Sequence, residues 1–405
     1  MRSRISICVT MATLGLLATG MNLAGADDTA RFPRDAEVRF QRARTTIARG
    51  LDFLVKDATT WREERGCATC HHGTMTVWAL SEARSQGYPV DAESLAQAVH
   101  WTKDQFMPRI QAIRDPRPGW NLVSVPAIHL GTMSQTLPIL SRDEVDQIAS
   151  HLEAHQEADG SWLTPPPSNG APPIWESRET LALWALLAWE TRVPIDPDQA
   201  ARARVSREKT VAWLNATEPS ETSQSIGLRL ILDSRSGASA DRLRAGVEKL
   251  LARQNPDGGW SQTKAHPSDA FATGQALWAI SLAKGRDRRV EIGRAVEFLV
   301  ANQREDGSWP MVSRDHPGVE TTRNPIRNPV PITYFGSAWA TIGLARSVPS
   351  PPDSASRRQR AFDQIRAFHG KYDLDETRAE RPVTRVDLRY YEVDDREVAK
   401  FTESL

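Results

Sequence analysis

The chain has 405 residues, with 51 basic side chains against 51 acidic and a hydrophobic fraction of 40%. That balance leaves no basic block for nucleic acid or for an anionic membrane surface, so neither is expected as a partner. The length can bury a large core as one repeat-built domain.

Residues 1–26 read as a secretory signal. Arg2 and Arg4 precede the apolar run "ISICVTMATLGLLATGM", and Ala24-Gly25-Ala26 forms an A-x-A site before Asp27. Export to the periplasm or the medium is therefore expected, with cleavage after Ala26 and a short lead over 27–39. Cys8 would leave with the signal, so the mature chain keeps Cys67 and Cys70. No other stretch is long and apolar enough to span a bilayer, so a soluble mature chain is expected.

Those two cysteines lie in "GCATCHHG", residues 66–73. C-x-x-C-H is the attachment signature of c-type haem, in which two thiols form thioethers and the histidine binds iron. The expectation is haem c on Cys67 and Cys70 with His71 as proximal ligand. Three other readings stay open: zinc held with His72 and a distant ligand, a reversible disulfide, and a chance match with no cofactor. For a sixth iron ligand the ring offers Met133, His129, His266 and His316.

Further along, one heptapeptide recurs: "QEADGSW" (156–162), "QNPDGGW" (254–260) and "QREDGSW" (303–309). Each follows an amphipathic helical run such as "RAVEFLVAN". Each precedes an apolar run rich in Ala, Leu, Gly and Trp, such as "GQALWAISLA". The apolar runs align on Trp184, Trp278 and Trp339, and "MTVWALSEA" adds Trp78 in the first repeat. Two weaker copies fill the gaps, giving six helix pairs. The amphipathic member can face water, whereas the member that is apolar all round must be buried. Six such pairs can close into a ring and leave no repeat end to cap. In each heptapeptide Asp-Gly supplies the tight turn, and the glutamine amide is expected to bond the turn's backbone.

These heptapeptides resemble the QW repeats of squalene–hopene and oxidosqualene cyclases. "SDAFATGQALWAI" resembles the start of an inner helix in that superfamily, which includes protein prenyltransferase β subunits. The resemblance covers residues 40–346 and implies an all-α (α/α)6 toroid. The superfamily's chemistry is less visible. Of the cyclase D-x-D-D acids only Asp269 is present, with Phe271 and Ala272 at the other two positions. The prenyltransferase zinc site lacks its cysteine and its histidine, the latter replaced by Tyr334, so no zinc site of that type is expected. The thioester element of complement-type rings is absent too.

Counted from Trp78, the position matching Asp269 is Thr69, inside the C-x-x-C segment. Inner-helix N-termini ring one mouth of the cavity, where unpaired N–H groups and the positive dipole end lie. Glu176 and Asp269 are the candidate catalytic acids there, with Glu179 beside them. Trp78, Trp175, Trp184, His266, Trp278, Tyr334 and Trp339 are the candidates to line an apolar pocket with a polar rim, or simply to fill the ring. The last residues, 347–405, read as a Pro/Ser linker, a short helix over "RRQRAFDQIRAFHG", and a charged tail whose "VTRVDLRYYEV" alternates like a strand.

The functional expectation is an exported toroid that carries haem at its mouth and serves redox or apolar-ligand binding, its partner an isoprenoid or a redox protein, without cyclase or prenyltransferase chemistry. The alternatives are a terpenoid cyclase-like enzyme and a non-catalytic scaffold.

Overall fold

The computed structural model describes residues 34–68, 71–112, 124–134, 136, 139–163, 176–190, 197–283, 289–309, 311, 330–350, 371–374 and 383–387. The expected signal segment, Cys70, Trp175, His316 and the helix expected over 357–370 lie outside them.

Twelve helices run through the described residues. In chain order they are α1 (Arg34–Arg65), α2 (His72–Ser85), α3 (Ala92–Ala112), α4 (Ser124–Met133), α5 (Arg142–Ala154) and α6 (Arg178–Trp189). They continue as α7 (Pro197–Ala216), α8 (Ser223–Arg235), α9 (Ala240–Leu251), α10 (Ala270–Leu282), α11 (Arg289–Ala301) and α12 (Val330–Ser347). Residues 43–351 form one compact unit; residues 1–42 and 352–405 form a second.

The fold is an all-α ring of six helix pairs. Its inner circle is α2, α4, α6, α8, α10 and α12, each packed on the next, with α12 returning to α2. Composition decides which helix goes inside. Every residue from Glu179 to Trp189 of α6 and from Ala270 to Ile280 of α10 is buried, because these faces carry almost no charge. In α9 only Val247 and Leu250 are buried, and its charges face water. The tightest inner pair meets through glycines: a Cβ on Gly274 would overlap the Trp339 carbonyl, and one on Gly343 would meet the Gly274 backbone. Polar ties close the ring, among them Tyr88 O–H donating to Val348 O at 2.8 Å and buried Glu82 paired with Arg346 at 2.7 Å.

The three heptapeptides build three equivalent joints. Gly160, Gly258 and Gly307 sit at φ of 94°, 91° and 90°, where a side chain is strained. An added Cβ there would also strike the backbone of Lys209, Arg294 or Arg49 on the following outer helix. Asp159, Asp257 and Asp306 each accept the N–H two residues on, at 2.9–3.0 Å. Each glutamine amide donates to its own turn, as expected, and also across the joint. Gln156 reaches Ser206 O at 2.9 Å, Gln254 reaches Glu291 O at 2.8 Å, and Gln303 reaches Thr46 O at 2.9 Å. The indoles of Trp162, Trp260 and Trp309 are fully buried and donate to the last carbonyls of the preceding helices, at 2.7–3.0 Å. The third joint binds α11 back to α1, which is how the last outer helix meets the first.

Two small ribbons complete the described structure. Trp260–Ser261 (β1) pairs antiparallel with Ser268–Asp269 (β2) and delivers the chain to the start of α10. Lys371–Leu374 (β3) pairs antiparallel with Val383–Asp387 (β4), so the first five residues of the alternating tail segment form a strand within the second unit.

Candidate functional site

Ring closure brings four of the six sequence-picked tryptophans and tyrosine side chains into one cluster. Trp78, Trp184, Trp278 and Trp339 are at most 3% exposed, and all six of their pairwise centroid distances fall between 5.0 and 6.2 Å. Those spacings are typical of mutually packed aromatic rings. The centre of the ring at this level is filled by indole. A short polar chain threads it: Trp184 Nε1 donates to Gln224 Oε1 at 3.4 Å, and Gln275 Nε2 donates to the same oxygen at 3.0 Å.

A second cluster lies at the start of α2, at one of the joints that lack the heptapeptide. His72 is fully buried, stacked on Trp61 at 4.3 Å and tilted against Tyr334 at 4.0 Å. Its Nε2 lies 2.7 Å from the Asp57 carboxylate, and its Nδ1 meets His71 Nδ1. Burial, and then the neighbouring His72, lowers the His71 pKa to about 3. Burial lowers that of His72 as well, against the raising pull of Asp57. Both rings are therefore neutral at pH 7. The hydrogen bonds then fix the tautomers: His72 donates Nε2–H to Asp57, accepts His71 Nδ1–H on its own Nδ1, and leaves the His71 lone pair on Nε2. Tyr334, whose pKa burial raises, donates to Leu54 O at 2.8 Å and meets the Thr76 hydroxyl. His71 and Phe335, each 9% exposed, lie 6.2 Å apart, while Trp61 and Asp57 of the same cluster are half-buried.

The candidate acids serve the helix joints. Asp269, 3% exposed, caps α10 by accepting Ala272 N–H at 2.8 Å and accepts the Gln262 amide at 2.5 Å. Glu176 Oε1 accepts the hydroxyls of Thr180 at 3.0 Å and Thr222 at 2.6 Å, which ties the start of α6 to that of α8. Glu179 is buried against Arg229 at 2.6 Å. His266 is half-buried with its Nδ1 on Thr263 at 2.6 Å, apart from both clusters. His129 is buried on α4 with its Nδ1 on Thr74 at 2.7 Å and its ring 5.6 Å from Trp78; Met133 is buried at the end of the same helix. Half-buried Cys67 accepts the Trp61 indole N–H on its backbone carbonyl at 3.0 Å. No group of three or more His, Cys, Asp or Glu among the described residues could hold a metal ion. No described helix is long and apolar enough to cross a membrane.

The sequence reading did not pick Asp57, Trp61, Gln224 or Gln275. Asp57 sits in an ordinary amphipathic run, and only ring packing turns it toward His72. A polar residue at an inner-helix position is the one available signal for Gln224 and Gln275.

No protein-family model matches the chain. A curated relative, drimenyl diphosphate synthase of Streptomyces showdoensis, is 26% identical over 220 residues, 53% of this chain and 31% of that protein. The match thus spans about a third of the relative's length. Among solved structures, a variant of the type II terpene cyclase MstE from Scytonema, in complex with geranylgeranyl dihydroxybenzoate, shares 16% identity at a TM-score of 0.48, over 77% of this chain and 99% of that one. A protein from Actinoplanes shares 17% at a TM-score of 0.45, over 75% and 99%. At these values the fold assignment rests on the helix pairing itself. The expectation of a haem-bearing redox or ligand-binding ring without cyclase chemistry is corrected by the relative. The haem part of that expectation drew on residues 66–73 and its exclusion of cyclase chemistry on Phe271, Ala272 and Tyr334, whereas the match to drimenyl diphosphate synthase runs over 220 residues. The chain is a terpene-cyclase-like helical ring, and its sequence similarity favours the terpenoid cyclase-like alternative.

Proposed function

We propose that the chain is a terpenoid cyclase-like enzyme acting on an isoprenoid within its helical ring. The observation that carries this reading is the 26% identity over 220 residues to drimenyl diphosphate synthase. Physical chemistry supports it from two sides. Indole faces stabilise positive charge, and an aromatic-walled ring suits a reaction that develops a carbocation. An acid that protonates a double bond must be buried and hydrogen-bonded, and Asp269 is both. Phe271 and Ala272 stand in place of the other two acids of the D-x-D-D pattern, and Gln262 and the Ala272 N–H are among the donors that support Asp269. Neither haem nor a metal takes part in the proposed chemistry.

The test is incubation of the purified chain with farnesyl diphosphate, geranylgeranyl diphosphate and squalene. A cyclised product from at least one is expected, lost in Asp269→Asn, which keeps an acceptor for the helix cap and so keeps the fold by circular dichroism. Cyclisation unaffected by that substitution removes Asp269 from the mechanism. The mutual packing of the four indoles favours a second reading, a non-catalytic scaffold; binding of these compounds without turnover would select it, and the absence of both binding and turnover ends the enzyme reading.

A further inference from the structure

The indole cluster holds two polar atoms that nothing meets. Gln275 Oε1 and Trp278 Nε1 are buried without a hydrogen-bond partner, on side chains 7% and 3% exposed. They lie one turn apart on the same face of α10. The identity of the orphan oxygen follows from the chain beside it. The Trp184 indole can only donate, so the Gln224 atom that faces it is the oxygen. The Gln275 atom facing that oxygen must then be its nitrogen, which leaves the Gln275 carbonyl oxygen turned elsewhere. Trp278 offers a donor and Gln275 an acceptor, and burying either unmet is costly.

We infer that the centre of the ring is a binding site for one O–H group, which accepts from Trp278 Nε1 and donates to Gln275 Oε1. Only a hydroxyl or a water can do both through a single oxygen. A carbonyl or ether would satisfy Trp278 alone, and an ammonium would satisfy Gln275 alone. The side chains beside the pair are indoles and the Gln224 amide, so a ligand delivering the hydroxyl is otherwise mostly hydrocarbon. Naming that ligand an isoprenoid alcohol rests on the proposed function; the O–H site itself does not. Water is the other source of the same chemistry.

The experiment is nuclear magnetic resonance of the full chain labelled with 15N at tryptophan, with Trp278→Phe to assign the Trp278 indole signal. A nuclear Overhauser cross-peak between that N–H and water is expected, and its complete loss is expected in Gln275→Met, which keeps the side-chain volume. Farnesol is the ligand probe. Displacement of the water cross-peak with a shift of the Trp278 signal assigns the site to a ligand alcohol; a persistent water cross-peak assigns it to a bound water. A wild-type spectrum with neither a water cross-peak nor a farnesol shift overturns the site, as does a cross-peak that survives in a folded Gln275→Met protein. Failure of the isoprenoids to cyclise would leave the water cross-peak in place, so the two proposals fail separately.

Discussion

The joints at Gly160, Gly258 and Gly307 and the joint at the start of α2 do the same job of turning the chain from an outer to an inner helix, yet they are built differently. The first three reuse one set of bonds: a left-handed glycine, an aspartate on the turn, a glutamine across the joint and a buried indole on the preceding helix. The fourth keeps a left-handed glycine, Gly66 at φ 68°, and shares none of the other bonds. It packs two neutral histidines against Trp61 and sets an aspartate and a tyrosine on His72. Repetition around a ring marks residues that hold the ring together, because every joint faces the same packing problem. A joint that breaks the repeat is where the chain has room for chemistry.

The largest expected effect comes from breaking a repeated joint. Trp309→Ala empties a fully buried indole site and removes the bond to Leu299, and should cost about 3–5 kcal/mol in urea or thermal denaturation. A loss below about 1 kcal/mol would mean the joint is not structural. The histidine joint should instead respond to acid. The folded state keeps His71 neutral with its pKa lowered to about 3 from 6.5, so the unfolded chain binds more protons between those values. Stability is therefore full above pH 6.5 and falls as the pH drops toward 3, by up to about 1.4 kcal/mol per unit. Unfolding free energies at pH 6.5 and pH 5 should differ by about 2 kcal/mol from this residue, and His71→Gln should flatten the difference. An unchanged pH slope in that variant would show that the His71 ring is not held neutral by the fold. The smallest effect is expected at Gln254, where Gln254→Met removes two amide bonds, to Gly258 O and Glu291 O, and should cost about 1–2 kcal/mol without pH dependence. Together the three measurements separate a joint that packs from a joint that titrates.

The chain's own pattern was enough for the ring and its order of helices. Asp-Gly turns, helical periodicity and the contrast between charged and apolar runs are local properties, written within a dozen residues of one another. The half of each glutamine's bonding that stays in its own turn was equally local, four residues from Gln156 to Gly160. Its other half crosses to Ser206, Glu291 or Thr46, and Gln303 to Thr46 spans 257 positions, a pairing that exists only because the ring closes. The same closure decided whether Trp78, Trp184, Trp278 and Trp339 would line a space or fill it, since four side chains on four helices meet only when those helices converge. Packing within the first helix pair turned Asp57 of α1 onto His72, and packing at the centre left Gln275 Oε1 and Trp278 Nε1 buried without a protein partner. Secondary structure and repeat register are fixed by short-range dihedral preference and hydrophobic period, whereas the polar geometry of the mouth and the centre is fixed by which distant helices share a buried face. That is why composition and spacing marked six helix pairs able to close, the resemblance implied the toroid, and only the packed interior decided where its candidate chemistry sits.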